Sequence, residues 1–487
     1  MISGKEIQVL DRNSEYLGVS TSTLMEKAGL GVAEYIVSQL NHRKANILVL
    51  CGTGNNGGDG FVAARYLITK YPVTVFLAGN EDDIKSDIAQ ENFLHLKKTK
   101  AKIISINDSS DLDRLLSNHD VIVDALLGIG FSGTLREPYA TIIKKINPHP
   151  DKTLISVDVP TGLGTDLSLH PQYTVTFHDI KEGMNTENSG EIHIVDIGIP
   201  KEAATHVGPG ELFTYYPRPK KHSHKGDNGS VLVIGGGPYT GAPALVGMAA
   251  LRTGADLAFI VTPKRVWQAV ASYSPNLIVH NGTSNILTQD DVPLVKLLLP
   301  RCQTIIIGPG LGAAPETEQA IQDIIKLCVS EQKTLVLDAD AIKPAGEHNE
   351  LILHTKTVIT PHAGEFKKLT GVQLPDDIDK RKQIVEQWAK KLDVTILFKG
   401  PVDIISNGIQ TKLNTTHNEA MTVGGTGDAL AGIVGALLSK GAEPINAAKI
   451  AAFLNGAAGN EAFAKQSYGL LATDIIDKIP TILKKYL

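Results

Sequence analysis

Cysteine is scarce in this chain of 487 residues, which contains only three. Cys51, Cys302 and Cys328 are widely separated, and none belongs to a CxxC pair or lies near a pair of histidines. This spacing argues against a disulfide framework and against a thiolate metal site, since both need closely organised cysteines. We therefore expect a protein of the reducing cytoplasm.

Long apolar runs and an excess of basic residues are also missing. No run of about 18 apolar residues occurs, so we expect no membrane-spanning helix. The residues up to Gly29 carry charge throughout, which argues against a secretory signal. The formal net charge of -5 argues against a nucleic-acid partner, because phosphate binding needs clustered cations. We expect small-molecule substrates, no membrane partner and a homo-oligomer.

The chain does contain a repeated alternation of apolar segments with helical stretches. The continuous Val, Ile and Leu runs are typical of parallel strands in a sheet that is covered on both faces. In the first half these segments lie at 45–52, 73–79, 121–128 and 154–160. In the second half they lie at 230–236, 257–263, 304–310, 334–340, 357–362 and 394–400.

The alternation stops in a stretch rich in proline, lysine, histidine and glycine, which predicts a linker over 211–228. A length of 487 residues also favours two domains, at roughly 100–200 residues each. We therefore predict an α/β protein with domains at 1–210 and 229–487. The first domain is expected to be a Rossmann-like, doubly wound parallel sheet.

The stretch VGGTGDALAG at 423–432 is the most specific motif of the second half. Its glycines let backbone N–H groups approach an anion, and the helix that follows adds its positive end. A carboxylate beside bound phosphate is unfavourable unless it takes a proton during the reaction. Asp428 is therefore a candidate general base that activates an attacking hydroxyl. The alternative is that Asp428 only caps the helix.

The stretch GTGNNGGDG at 52–60 follows a strand and opens a helix in the first half. It lacks the complete GxGxxG pattern of a hydride-transfer site, and it offers amide and carboxylate oxygens instead. Asp124 and Asp158 end two further strands. Because the carboxyl ends of parallel strands share one edge of the sheet, we expect these acids to converge on one crevice. The alternative is that each acid caps a turn.

The order of the motifs resembles that of a known family. The second half resembles the ribokinase-like dehydratases of hydrated NAD(P)H through GGGPYTGAP, GPGLG, LDADA, TPHAGE, KG, GGTGDALAG and GLLATD. The first half resembles the NAD(P)H-hydrate epimerase domain through GNNGGDG, VDALLGIGFSG and VDVPTG. The tandem is similar to the bifunctional NAD(P)H-hydrate repair enzymes, which implies epimerisation of the R and S hydrates. It also implies dehydration of the S form with ADP, giving AMP and phosphate.

The resemblance assigns residues of the second half to two ligands, with Mg²⁺ as a cofactor and ADP as a co-substrate. Asp428 would be the catalytic base. The residues expected at the hydrate are Ala244, Gly310, Gly312, His362 and Asp428. The residues expected at the adenine nucleotide are Lys399, Gly400, Pro401, Val402, Asp403 and Gly427. Without the family, His362 is more simply explained as a histidine at a strand end.

The resemblance also implies a K⁺ ion and a hydrate site in the first half. The K⁺ ligands would be Asn56, Asp124 and Thr161. The hydrate would contact Asn55, Asn56, Gly57, Gly58, Asp59, Gly128, Ile129, Gly130, Phe131, Ser132, Gly133, Thr134 and Asp158. Asp158 is our candidate proton carrier. Lys181 could stabilise developing negative charge, or it could be an ordinary solvated lysine.

Two other functions fit part of the sequence. A ribokinase-type kinase of a small vitamin precursor, fused to a ligand-binding domain, would use the same glycine loop and Asp428. The first half could also be a non-enzymatic binding module or scaffold. The combination of Asn56, Asp124 and Asp158 argues against a scaffold, and the GNNGGDG domain favours repair over the kinase.

Overall fold

A computed structural model describes residues 1–105, 110–131 and 133–487. The contacts divide the chain into two compact units, Met1–Lys201 and Glu202–Leu487. Each unit contains one large sheet covered by helices. Within the described residues, no helix combines the length and the apolar character needed to cross a membrane.

The first unit has a seven-stranded sheet in which every neighbouring pair of strands is parallel. Its strands are β1 (Ile47–Cys51), β2 (Val73–Leu77), β3 (Lys102–Ser105), β4 (Val121–Ala125), β5 (Thr153–Val157), β6 (Tyr173–Phe177) and β7 (Glu191–Val195). Their order in the sheet is β3-β2-β1-β4-β5-β6-β7. The chain reverses direction across the sheet between β1 and β4, so a crevice opens there at the carboxyl ends of the strands.

Helices cover both faces of this sheet. They are α1 (Gly4–Tyr16), α2 (Thr21–Leu40), α3 (Asn55–Leu67), α4 (Asp87–Lys97), α5 (Ser110–Asn118), α6 (Tyr139–Ile146) and α7 (Thr186–Ser189). Alternate residues of β1 enter two different cores: Val49 packs in the core that contains α2 and α3, and Leu50 in the core that contains α5 and α6. The predicted doubly wound sheet is confirmed.

The second unit has a nine-stranded sheet. Its strands are β8 (Ser230–Ile234), β9 (Leu257–Thr262), β10 (Leu277–Asn281), β11 (Thr304–Ile307), β12 (Thr334–Leu337), β13 (Thr357–Ile359), β14 (Thr395–Phe398), β15 (Asp403–Ser406) and β16 (Thr411–Asn414). Their order is β10-β9-β8-β11-β12-β13-β14-β15-β16. The strands from β10 to β14 pair in parallel, and β15 and β16 add an antiparallel edge.

The second sheet is also covered on both faces. Val233 of β8 belongs to one core and Leu232 to the other. Its larger helices are α10 (Ala242–Arg252), α13 (Pro315–Ser330), α16 (Ile378–Leu392), α17 (Thr426–Ser439), α18 (Pro444–Gln466) and α19 (Ala472–Tyr486). Shorter ones are α8 (Lys201–Thr205), which starts at the last residue of the first unit, α9 (Pro209–Tyr215), α11 (Trp267–Ser272), α12 (Val292–Leu298), α14 (Ile342–Glu347) and α15 (Ala363–Thr370).

The chain between the two sheets differs from the predicted linker over 211–228. Its first part is helix α9, and Leu212 is buried in a core of the second unit. Glu211 is fully buried and forms an ion pair with Lys412 of β16, at 2.7 Å between Oε1 and Nζ. The division between units therefore falls at 201/202, and Glu211 anchors α9 in the second unit.

We predict that Glu211→Gln lowers the free energy of unfolding of the second unit by about 3 kcal/mol, because it removes the negative charge that is paired with the buried Lys412 ammonium. Both tryptophans, Trp267 and Trp388, lie in this unit, so urea unfolding followed by tryptophan fluorescence reports on it alone. The control is Glu443→Gln, whose partner Lys356 is exposed and which should cost less than about 0.5 kcal/mol. Equal effects of the two changes would mean that α9 is not anchored.

Candidate active sites

A cavity of about 530 Å³ opens in the first unit at the carboxyl ends of its central strands. The predicted residues that line it are Asn55, Asn56, Asp59, Gly128, Ile129, Gly130, Phe131 and Asp158. Gly57, Gly58, Gly133 and Thr134 are not among the lining residues, and Ser132 lies outside the described residues. The strand ends therefore bring together most of the predicted hydrate residues.

The most tightly held charges in this cavity are those of Asp158 and Lys181. The Lys181 ammonium is fully buried and lies 2.6 Å from Oδ1 of Asp158, a contact that is electrostatic rather than an aligned hydrogen bond. Lys181 also donates to the Thr176 hydroxyl at 2.9 Å and to the Phe177 carbonyl at 2.6 Å. The alternative that Lys181 is an ordinary solvated side chain is therefore wrong.

Helix α1 forms a wall of the cavity that was not predicted from the sequence. Gly4, Ile7, Gln8 and Asp11 line the cavity, and the sequence signal was that these residues share one helical face. Burial raises the pKa of Asp11 to about 6, and the negative charge of Asp158 adds to the effect. Burial also raises the pKa of Asp59 well above its usual range.

Asp124 and Thr161 are in direct contact with each other and are not among the residues that line the cavity. The buried Asp124 carboxylate accepts hydrogen bonds from the Thr161 hydroxyl at 2.6 Å, the Thr161 amide at 2.9 Å and the Ser156 hydroxyl at 2.8 Å. The side-chain amide of Asn56 is also buried, and within the described residues neither its oxygen nor its nitrogen has a hydrogen-bond partner. The part of the chain that the structure describes holds no cluster of three His, Cys, Asp or Glu side chains suited to a metal.

In the second unit, polar groups from three neighbouring strand ends meet. Asp338 follows β12, Thr360 follows β13 and Lys399 follows β14. The Lys399 ammonium lies 2.7 Å from Oδ1 of Asp338 and 3.7 Å from Oε2 of Glu365. Burial disfavours the charge of Lys399, but the surrounding carboxylates outweigh this effect and raise its pKa.

Asp428 lies at the start of helix α17 and does not cap it. The cap is Gly425, which has φ of +96° and no side chain to accept from the first N–H groups of the helix. Within the described residues, no hydrogen bond or ion pair holds the Asp428 carboxyl. Burial raises its pKa to about 7, with a further contribution from Asp338 and an opposing one from Lys399. This group can exchange a proton near neutral pH.

His362 and Asp403, two other predicted residues of the second unit, form hydrogen bonds within their own loops. His362 is the N-cap of α15, and its Nδ1 accepts from the Gly364 amide at 3.0 Å. Asp403 shapes the turn between β14 and β15, because it accepts from the Gly400 amide at 3.0 Å and from Nδ2 of Asn414 at 2.9 Å. Both side chains are therefore already used for local structure.

Glycine loops form the remaining part of this edge. The Gly236 amide donates to the Pro309 carbonyl at 2.8 Å, so the loops after β8 and β11 are in contact. Gly312 donates its amide to Asp340 at 2.7 Å, and a Cβ on Gly310 would lie 2.6 Å from the Tyr239 carbonyl oxygen. The Ala244 side chain is buried behind them in the first turn of α10.

The glycine loops, Lys399 and the start of α17 together form a site that suits an anionic substrate. The uncapped N-terminus of α17 presents unpaired N–H groups and the positive end of the helix dipole. A Cβ on Gly427 would lie 3.4 Å from Nζ of Lys399, so the missing side chain leaves room for the ammonium beside this helix end. The arrangement can bind phosphate and accept a proton next to it.

Comparison with known proteins agrees with this chemistry. The family described as NAD(P)H-hydrate dehydratase matches residues 231–481, and the YjeF-related protein N-terminus matches residues 21–183. The bifunctional NAD(P)H-hydrate repair enzyme of Pyrobaculum aerophilum is 39% identical over 502 residues, which cover 100% of this chain and 98% of that protein. The protein belongs to the bifunctional NAD(P)H-hydrate repair family. The member from Archaeoglobus fulgidus is also 39% identical, over 98% of this chain and 97% of its own length.

Solved structures resemble the dehydratase half of the repair family. An ADP/ATP-dependent NAD(P)H-hydrate dehydratase from Bacillus subtilis, co-crystallized with ATP/Mg²⁺, is 26% identical with a TM-score of 0.50. It matches 58% of this chain and 99% of its own. A ribokinase-like superfamily protein from Enterococcus faecalis is 27% identical with a TM-score of 0.51, over 58% of this chain and 96% of its own. The ribokinase-like fold predicted for the second domain is confirmed.

In this member of the repair family, the two glycines at the centre of GTGNNGGDG have a packing role. A Cβ on Gly57 would lie 1.9 Å from the Gly52 carbonyl oxygen, and a Cβ on Gly58 would lie 2.7 Å from the Met25 side chain. Their absence of side chains lets α3 start directly against the end of β1. This close approach places Asn55, Asn56 and Asp59 at the cavity.

We predict that Gly57→Ala forces α3 away from β1 and lowers local stability by about 3 kcal/mol, the usual cost of overpacking. Hydrogen exchange of peptides from β1 and α3 measures this loss. The control is Gly54→Ala at the residue that precedes α3, where no atom lies within 4 Å of the added Cβ and φ is -103°. Equal protection in the two variants would contradict the packing role.

Proposed function

We propose that this protein restores hydrated NADH and NADPH in two steps. The first unit interconverts the R and S epimers of the hydrate, and the second dehydrates the S epimer with ADP, giving AMP and phosphate. Membership of the repair family supports both activities. The observation that carries the second is Asp428, an unpaired carboxyl with a pKa of about 7 at the start of an uncapped helix.

The chemistry explains why a nucleotide is needed. Hydroxide is a poor leaving group, whereas phosphate is a good one. Asp428 takes the proton of the C6 hydroxyl, whose oxygen then forms a bond to the β-phosphorus of ADP as the bond to AMP breaks. The C6 phosphate leaves with its electron pair, and C5 gives up a proton, which restores the dihydropyridine ring.

The residues around Asp428 have separate roles in this proposal. The N-terminus of α17 at Gly427 and the Lys399 ammonium bind the phosphates of the nucleotide. The turn of Gly400, Pro401 and Val402, shaped by Asp403, holds the adenosine. The hydrate lies along Ala244, Gly310, Gly312 and His362. Mg²⁺, when bound with the phosphates, would reduce their negative charge.

In the first unit, Asp158 is the proton carrier of the epimerisation, and the Lys181 ammonium stabilises negative charge on the substrate. The orphaned Asn56 oxygen, the Asp124 carboxylate and the Thr161 hydroxyl are hard ligands, which fit a K⁺ ion. When bound, K⁺ offsets the buried charge of Asp124. The remaining lining residues, from Asn55 to Asp59 and from Gly128 to Phe131, contact the hydrate.

The proposed setting is a reducing cytoplasm, which the three free, buried cysteines support. The proposed partners are small molecules alone: the two hydrates and ADP. A homo-oligomer stays a prediction.

The direct test mixes the purified protein and Mg²⁺ with both epimers of NADH hydrate, in the presence of ADP, of ATP or of neither. The returning absorbance of reduced nicotinamide is followed. We expect recovery beyond the S fraction that depends on ADP. No recovery with either nucleotide would favour the small-molecule kinase. That activity would then be tested by phosphoryl transfer to hydroxylated vitamin precursors.

We predict that Asp428→Asn slows dehydration at least 100-fold, the lower range of general base effects, and leaves ADP affinity the same or tighter. The ADP affinity is kept because the substitution removes a negative charge beside the phosphates of ADP. Calorimetric titration of ADP and single-turnover dehydration measure the two quantities. The control Asp477→Asn changes an exposed acid paired with Arg252 and should alter neither. Turnover at the wild-type rate in Asp428→Asn would rule out the base.

A further inference from the structure

We propose that Asp11 is a second acid–base group of the cavity in the first unit, and that it serves the ring nitrogen of the hydrate while Asp158 serves the hydroxyl. This inference rests on the proposed epimerase function. It concerns a helix that contains none of the residues assigned above. Epimerisation at a hemiaminal carbon moves two protons, one at the oxygen and one at the nitrogen, so a single carboxyl is not sufficient.

The charges of the cavity distinguish Asp11 from its neighbours. Asp158 is paired with the Lys181 ammonium at 2.6 Å. Asp11 lines the same cavity, but within the described residues it has no hydrogen bond and no ion pair. The charges that act on Asp11 are those of Asp158, Lys181 and Arg12. The charges that act on Asp59 are those of Asp158, Asp11 and Lys181. His178 also lines the cavity. Lys181 is thus paired with Asp158, and the charges of Lys181 and Arg12 only partly offset the effect of burial on Asp11.

Asp59 is a weaker candidate for the second group. Its pKa is raised well above the usual range, chiefly by burial, which favours a carboxyl that keeps its proton and donates a fixed hydrogen bond. The pKa of Asp11 is about 6, close enough to neutral pH for the proton to be given and taken back. The two acids therefore suit different tasks in the same cavity.

Helix α1 is held in place by contacts with the loop that carries Lys181. The Ile2 amide donates to the Ile180 carbonyl at 2.8 Å, and the Glu182 amide donates to the Ile2 carbonyl at 3.1 Å. A Cβ on Gly4 would lie 3.2 Å from the Ile129 side chain, so the start of the helix also packs on the loop after β4. These contacts fix Asp11 on a wall of the cavity rather than on a loose terminus.

The proposed step opens and closes the ring without any net oxidation. Asp158 takes the C6 hydroxyl proton, and a C6–O double bond forms as the C6–N1 bond breaks. The electron pair goes to N1, which takes a proton from Asp11. Rotation about C5–C6 turns the other face of the aldehyde toward N1. N1 then attacks C6 and returns its proton to Asp11, and the oxygen takes back the proton of Asp158.

The test uses the full-length protein with both epimers, saturating ADP and Mg²⁺. Recovery of reduced nicotinamide should have a fast phase, in which the S epimer is dehydrated, and a slower phase limited by epimerisation. We expect Asp11→Asn to slow the second phase at least 100-fold, toward the spontaneous rate, with the first phase unchanged. The control on the same helix is Glu15→Gln, an exposed acid near Arg12, which should leave both phases unchanged.

The pH profile separates an acid–base role from a structural one. Because Asp11 must begin protonated, the enzymatic second phase of the wild type should fall as pH rises above about 6, after the spontaneous rate is subtracted. Asp11→Glu should restore part of the second-phase rate and shift the pH at which this rate declines. A residue with a purely structural role would not shift this pH. The decline of the second-phase rate with rising pH is measured on the wild type, so this test does not depend on the folding of Asp11→Asn.

The outcomes distinguish this inference from the proposed function. A wild-type second phase no faster than spontaneous epimerisation would contradict the epimerase itself. A wild-type second phase that is enzymatic but keeps its rate and pH profile in Asp11→Asn would overturn only the role of Asp11. A pH-independent second phase in the wild type would also overturn it.

Discussion

Each unit of this protein collects three carboxyl groups around one lysine at the carboxyl edge of a parallel sheet. In the first unit the lysine is Lys181, paired with Asp158, and in the second it is Lys399, paired with Asp338. A carboxylate taken out of water needs a counter-charge or a proton. Since one ammonium cannot neutralise three carboxylates, each site retains a carboxyl whose pKa is raised toward neutral.

In each unit an acid without an ion pair has a pKa raised toward neutral. It is Asp11 in the first unit, with a pKa of about 6, and Asp428 in the second, with a pKa of about 7. Both lie in helices beside the strand ends, so the fold positions them without a long polar network. The two proposed reactions each move a proton from a hydroxyl or a ring nitrogen. The same charge imbalance therefore provides the acid–base group for both.

Much of this was predictable from the sequence, because strands of parallel sheets are continuous apolar runs and their carboxyl ends share an edge. That logic located Asp158, the glycine-rich loop located Asp428, and the order of motifs gave the family. It missed β7, whose side chains are largely exposed or half-buried and lack an apolar run. It also missed Asp11 and the buried state of Lys181, because both depend on how α1 and the loop after β6 pack. Local polarity alone left a solvated Lys181 as an alternative.

Burial raises the proton affinity of the unpaired Asp428 and Lys399 lowers it, and carbon NMR measures both effects. The carboxyl signal of Asp428, assigned by its loss in Asp428→Asn, is followed against pH in the wild type and in Lys399→Met. We predict a midpoint near 7 in the wild type and a higher one in the variant, because Lys399 lowers this pKa. A midpoint near the ordinary value of 3.8 in both proteins would contradict the account.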